Sequence, residues 1–305
     1  MIYFLTMGIL ARITKIESLP TLPEIVARIL KMVELSSTTV EQLSRVITQD
    51  PVLSATLLKI VNSAYYARHI GPRITSVNQA VTRLGLLEVR NIAVAMSLVR
   101  QFRKRANIIS YSDFWRHALG AAFLNQHLLA HCSNQSLFSL AEKQSLFLTG
   151  LLHDLGILLY DQYFFDEFAA LIDSAVLNEQ SFVLAEQTLY PRETHAQICA
   201  ALLEIWKFDP LVIAGVRYHH QVGRAPGNQK KMAAIMHCTE YLLCNNQVGS
   251  FEGCFVLEDE SLWDFLGITR DVAVELVAKV NEDINQSDLV LILESGDTPD
   301  RLRRI

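Results

Sequence analysis

Seven side chains able to bind a metal or move a proton lie inside apolar stretches of a 305-residue chain. They are His117, the adjacent pair His153 and Asp154, His195, the adjacent pair His219 and His220, and Glu240. Carboxylates are seldom fully buried unless paired, because a desolvated charge without a partner is costly. Imidazoles and carboxylates sent repeatedly into apolar helices therefore predict a metal site or the hydrogen-bonded remnant of one. Neutral imidazole with carboxylate suits Zn, Mn or Fe. Two such ions roughly 4 Å apart form the arrangement that attacks phosphate esters. A working metal centre and a buried network that persists as packing both remain open at the level of residue types. His127 and His131, four apart, have a chelating spacing but no third ligand, and read as surface residues.

Helices have to carry these groups. Leu22, Ile25, Val26, Ile29, Leu30 and Val33 recur at helical spacing, the stripe of an amphipathic helix opened by Pro20 and Pro23. A helix is expected over 39–48. Another starts at Asp50-Pro51, an N-cap followed by a first-turn proline, and turns Leu53, Leu57, Ile60 and Val61 inward, with Asn62 as its stop. Tyr65 to Thr75, containing Gly71-Pro72, reads as loop. Ser76 caps a helix that Gly85 stops, and a long helix follows over 87–102. The junction 101–113 is charged, then polar. Its basic run (Arg100, Arg103, Lys104, Arg105) reads as a solvated helix end.

Further helices are predicted over 112–131, 140–152, 161–177, 179–190, 194–207, 210–220, 230–245 and 269–283, with a loop over 246–260. Adjacent helical residues point about 100° apart, so His153 and Asp154 can share one ion only where a helix ends or where the ion sits between two faces. Gly156 is expected to end it. An apolar run at 289–293 precedes a polar tail, and no strand alternation appears. The fold class is all-α, with two helical lobes, 15–105 and 106–285, an extension at 1–14 and a tail at 286–305.

Bulk properties narrow the function classes. A hydrophobic share of 50% points to extensive burial, yet no apolar run approaches the roughly 20 residues that span a bilayer. The apolar start MIYFLTMGILA lacks a basic flank and a small-residue cleavage site. It reads as a docking segment or an over-extended start with Met7 as initiator. A net charge of −5 argues against a dedicated nucleic-acid binder. The five cysteines, Cys132, Cys199, Cys238, Cys244 and Cys254, are odd in number and show no CxxC spacing. Free thiols in a reducing cytoplasm are the expectation.

The order H…HD…D/E on successive helices resembles the HD superfamily of metal-dependent phosphohydrolases. SLPTLPEIVARIL (18–30), ITQDPVLSATLLKIVNSAYY (47–66) and ITSVNQAVTRLG (74–85) resemble the HDOD domain, the HD-related output domain of bacterial signalling proteins. FWRHALGAA, FLTGLLHDLG and THAQICAALLEIW…YHH match the same pattern, so the resemblance covers about 15–245. It implies an all-α fold, an HD-like second lobe and a non-catalytic output or scaffold role exerted through protein partners.

By the same resemblance, His117, His153 and Asp154 fall on the first three HD ligand positions, and Glu240 on the final one, where HD enzymes have Asp. His195, His219 and His220 fall where two-metal relatives that hydrolyse cyclic di-GMP place additional histidines. Two departures count against turnover. The phosphate-contacting lysine of those relatives is Ile157 here, and their HHE…GYP signature is replaced by HHQVGRAPG, with Gln221 for Glu. Three readings follow: a scaffold with a degenerate divalent-metal site (Fe, Mn or Zn), a phosphohydrolase of a nucleotide or phosphoester, and a nucleotide sensor without hydrolysis.

Overall fold

Helix-start chemistry sets the register of the first helices in the computed structural model. It describes residues 8–13, 15–16, 19, 21–35, 37–66, 72–102, 108–133, 136–249 and 256–287. The expected apolar run at 289–293, residues Arg103, Lys104 and Arg105, His69, Gly71, Cys254 and the first seven positions lie outside the described residues. The first helices are α1 (Ile9–Ile13), α2 (Glu24–Glu34), α3 (Val40–Thr48), α4 (Pro51–Val61), α5 (Val77–Leu84) and α6 (Leu86–Gln101). Thr39 and Gln42 form a reciprocal capping box at α3. Asp50 Oδ1 accepts the N–H groups of Val52 and Leu53, each at 2.9 Å, and so opens α4. Ser76 caps α5, and Gly85, at φ +85°, makes the bend into α6 that a residue with a Cβ rarely adopts. Asn62 does more than end α4: its amide donates to Ile74 O at 2.8 Å while its oxygen accepts Ile74 N–H at 2.8 Å, clipping the following segment to the helix.

The described residues fall into two compact units, one drawn from 20–103 and 282–287 and the other from 8–19 and 108–281. In the smaller unit, α6 packs on α2, α4 and α5. Its core holds Ile29, Leu43, Ile47, Leu57, Ile60, Val81 and Ile92, all essentially inaccessible to water. Burying one such aliphatic side chain contributes roughly 1.5–3 kcal/mol before entropy is counted.

The larger unit contains α1 and the remaining helices. These are α7 (Tyr111–His131), α8 (Leu140–Leu152), α9 (Leu155–Tyr163), α10 (Phe165–Leu177) and α11 (Phe182–Leu189). They continue with α12 (His195–Ile205), α13 (Pro210–Tyr218), α14 (Lys230–Asn245), α15 (Glu260–Leu266) and α16 (Arg270–Gln286), the unit boundary falling inside α16. The described residues of the N-terminal segment belong to this unit: α1 packs on α12, and Glu193 Oε1 accepts Leu10 N–H at 3.1 Å. Helices α7, α8, α13 and α14 pack around one core, α9 lies on α12, and α12 lies on α13. Gly150 lets α7 and α8 meet at backbone distance, since a Cβ there would lie 2.5 Å from the Ala121 carbonyl carbon. A buried polar stitch joins α7, α8 and α14: Thr239 donates to Asn125 Oδ1 at 2.7 Å, and Asn125 donates to Leu146 O at 3.0 Å.

The fold is all-α, with no strand among the described residues. Three local expectations need correction. The helix expected over 161–177 is two helices broken at Phe164, whose side chain is buried and whose backbone leaves helical geometry at φ −134°, ψ 47°. Tyr163, Phe164 and Phe165 form one aromatic run across the break, so the local pattern gave no sign of it. Gly156 does not end the preceding helix but lies within α9. A short helix, α15, starts at the end of the expected loop over 246–260, where Asp259 caps Ser261 N at 3.1 Å.

Candidate metal centre

The α8–α9 turn is the pivot of the site. α8 ends at Leu152 and α9 starts at Leu155, so His153 and Asp154 fill the turn and are freed from the 100° helical separation. α7 brings His117, α14 brings Glu240, the first residue of α12 is His195, and His219 and His220 follow the last residue of α13. The fold thus gathers all seven residues singled out from the sequence into two adjoining groups: His117, His153, Asp154 and Glu240, and His195, His219 and His220. Within each group the potential ligand atoms all lie within 4.8 Å of one another. Six of the seven residues are no more than 4% exposed, and His220 is half-buried.

Distances show what joins the groups. Glu240 Oε2 lies 3.0 Å from His117 Nε2 and 2.9 Å from His153 Nε2, and these two nitrogens are 3.3 Å apart. Asp154 Oδ2 lies 3.2 Å from His153 Nε2 and 3.6 Å from His117 Nε2. Its other oxygen faces the second group, with Oδ1 3.2 Å from His195 Nε2 and 3.8 Å from His219 Nε2. One carboxylate serves both groups, one oxygen to each.

The remaining ring nitrogens fix the tautomers. A carbonyl oxygen can only accept, so the Nδ1 atom facing it must carry the proton. His117 Nδ1 faces Val248 O at 3.1 Å, His153 Nδ1 faces Gly150 O at 2.7 Å, and His219 Nδ1 faces Val216 O at 2.5 Å. His195 Nδ1 donates instead to Glu186 Oε2 at 2.6 Å. Each ring therefore turns Nε2 toward the cluster, held from behind by a carbonyl or a carboxylate, as metal-ligating histidines usually are.

Lone pairs converging this closely among buried side chains demand positive charge between them. Burial by itself would push the Asp154 and Glu240 carboxyls up, but the facing imidazoles hold both well below the ordinary carboxylate range. Burial likewise disfavours charged imidazoles. The carboxylates outweigh it at His117 and His153, which are raised, and at His195, which Glu186 and Asp154 lift to about 10. His219 and His220 move the other way: burial and neighbouring imidazoles take His219 down to about 3 and hold His220 well below its ordinary value. Without a cation the set holds itself together with protons. A divalent ion would supply the same charge, and the donors fit one. Asp154 Oδ1 is buried with no hydrogen bond, despite His195 Nε2 at 3.2 Å, and so is an oxygen with a free lone pair inside the cluster.

Sequence reasoning missed the residues that hold the clustered side chains in place. Glu186 is fully buried and accepts both the His195 backbone N–H and its Nδ1–H, each at 2.6 Å. A glutamate in the apolar stretch FVLAEQTL was the available signal. Gly249, at φ +64°, brings the chain so close to α7 that a Cβ would lie 2.5 Å from His117 N, and this lets the neighbouring Val248 carbonyl reach the ring. Cys244 donates to Glu240 Oε1 at 2.9 Å, one turn along α14. Ile157 is buried in the core at 2% exposure and offers no charge to a phosphate. No helix among the described residues is long and apolar enough to cross a membrane.

Known proteins agree with this architecture. An uncharacterized protein of Treponema pallidum (strain Nichols) is 26% identical over 223 residues, which is 73% of this chain but only 41% of that protein. The chain thus spans less than half the length of the curated relative it matches. A solved structure from Marinobacter aquaeolei VT8, named "Putative signal transduction protein", superposes with a TM-score of 0.74 at 24% identity, covering 90% of this chain and 60% of that one. Another from Shewanella amazonensis SB2B, named "Putative phosphohydrolase", gives a TM-score of 0.63 at 25% identity over 93% of this chain and 91% of that one. The HDOD domain model matches residues 19–222, well over half of the sequence, and the chain belongs to the HDOD domain family.

Proposed function

We propose that the chain is a signal-transduction output module that keeps a divalent-metal centre as a structural core and works through contacts with protein partners, without turnover. The observation that carries this reading is Asp154, a buried residue whose two oxygens each face one histidine group. The burial of six of the seven residues argues for holding an ion in preference to processing a substrate. In this reading His117, His153, Asp154 and Glu240 hold a primary Fe, Mn or Zn ion, and His195, His219 and His220 with Asp154 offer a second position. Bound metal would supply Lewis acidity toward a phosphoryl oxygen. The chain's own residues offer little to grip a phosphate there, Ile157 being apolar and Gln221 hydrogen-bonded to Arg224 at 3.1 Å.

A metal-dependent phosphohydrolase is the second reading. It is favoured by the half-buried His220, which gives the cluster an edge toward solvent, and by the phosphohydrolase name of the Shewanella relative. Metal analysis of protein purified without chelator or histidine tag, beside a His153→Ala/Asp154→Ala variant, tests both, with bis(p-nitrophenyl) phosphate hydrolysis in Mn(II) as the activity probe. Bound metal that is lost in the variant, with no hydrolysis above buffer, is the expected result. Metal-dependent hydrolysis abolished in Asp154→Ala would replace the scaffold reading with the enzyme. No metal, even after reconstitution, would leave the histidines as packing.

A further inference from the structure

The two histidine groups differ in charge. The first contains both carboxylates, Asp154 and Glu240, whereas the second shares only Asp154 Oδ1. Three imidazoles and one shared carboxylate oxygen make a weak seat for a dication. Charge and geometry for the second group come from behind His195. Glu186, on α11, places a fully buried carboxylate against that ring, with Oε1 on the His195 backbone N–H and Oε2 on Nδ1–H. The Phe182 ring lies 6.0 Å from the His195 ring on the same helix as Glu186, and Gly156 packs against the His195 backbone.

We propose that Glu186 is the positioning residue of the second metal position: by holding the Nδ1 proton of His195, so that Nε2 is the atom the ring offers to an ion, and by adding a buried negative charge, it decides whether that position fills. The inference rests on the metal reading of the two groups. It goes further in making the positions unequal, the first filling on its own ligands and the second depending on a residue that never touches the ion.

Glu186→Gln separates orientation from shape. A glutamine has one acceptor for two donors. The backbone N–H cannot give up its proton, so the amide oxygen turns to it and the NH2 group faces Nδ1. In the neutral, metal-binding form of the ring the proton then sits on Nε2 in place of Nδ1, and His195 loses the lone pair it offered to the cluster. Side-chain volume is almost unchanged.

The experiment is equilibrium dialysis of the full, metal-depleted chain against Mn(II), with bound metal counted by mass spectrometry and the electron paramagnetic resonance spectrum recorded. The wild type should bind two equivalents and show a spin-coupled pair. Glu186→Gln should retain the first equivalent, bind the second at least roughly tenfold more weakly, the scale of outer-shell substitutions, and show an uncoupled Mn(II) signal. Circular dichroism and the thermal midpoint of the metal-free variant show that it is folded, and a Phe182→Leu variant reports what loosening α11 alone does. Two equivalents bound with unchanged affinity in Glu186→Gln would overturn the role of Glu186 and leave the metal centre standing. A single equivalent in the wild type would overturn the second position, and none would overturn the metal reading itself.

Discussion

Gly156 lies so close to the backbone of His195 that a Cβ on residue 156 would sit 2.0 Å from the His195 carbonyl oxygen. The contact sets how near the start of α9 approaches the start of α12, and hence how near Asp154 comes to His195. The obstacle is backbone on both sides, so no side-chain rotation can relieve it. Gly156→Ala should destabilise the chain by roughly 3 kcal/mol, the upper end of ordinary overpacking. It should also weaken the second Mn(II) equivalent more than the first. Urea denaturation and metal counting check both effects, and a variant as stable as the wild type would show that the two helices can slide apart freely.

Asp154 is shared, whereas Glu240 serves one group. Asp154→Asn should therefore lower the affinity of both metal positions, by at least roughly 100-fold, more than outer-shell changes typically cost. Glu240→Gln should affect chiefly the first. Metal-to-protein ratios after dialysis distinguish the two patterns. Loss confined to one position in Asp154→Asn would argue against a bridging role.

The hydrogen bond from Thr239 to Asn125 ties α14 to α7 one residue away from Glu240. Thr239→Val keeps the volume but leaves Asn125 Oδ1 buried without its donor, which costs about 1–3 kcal/mol. The midpoint of urea unfolding should fall accordingly. A neutral substitution would mean that Asn125 finds another donor.

In the smaller unit, the Tyr66 hydroxyl donates to Glu88 Oε1 at 2.5 Å. Burial raises the Glu88 carboxyl above its ordinary value, even though Tyr66, Asn91 and Arg90 pull it back. A group whose folded pKa is raised favours the fold fully below its unfolded pKa, and that contribution is lost as pH rises through the folded value. Glu88→Gln removes the titration and retains an acceptor for Tyr66. Its stability relative to the wild type should therefore rise as pH goes from about 4, near the unperturbed glutamate value, toward 7. Denaturation midpoints at the two pH values measure this, and a pH-independent difference would contradict it.

Most of the helices, and the seven residues that the fold gathers, were legible in the sequence. Apolar spacing and short-range caps are properties of neighbouring residues, so Asp50-Pro51, Ser76 and Gly85 mark their helix ends without any tertiary information. The buried histidines and carboxylates likewise announced themselves by standing in apolar segments, and the motif order gave their family.

Tertiary packing alone decided how those groups face one another. That the oxygens of Asp154 divide between two sets of rings depends on where α7, α12, α13 and α14 meet the α8–α9 turn. Glu186 stands nine positions before His195 and on another helix, so nothing in local spacing paired them. Gly156 looked like a helix stop because glycine carries the same letter for a turn and for a close approach; only the backbone opposite it tells the two apart. Local sequence specifies what each segment can form, while distances between segments are set by the packing of the whole core, and the chemistry of this site resides in those distances.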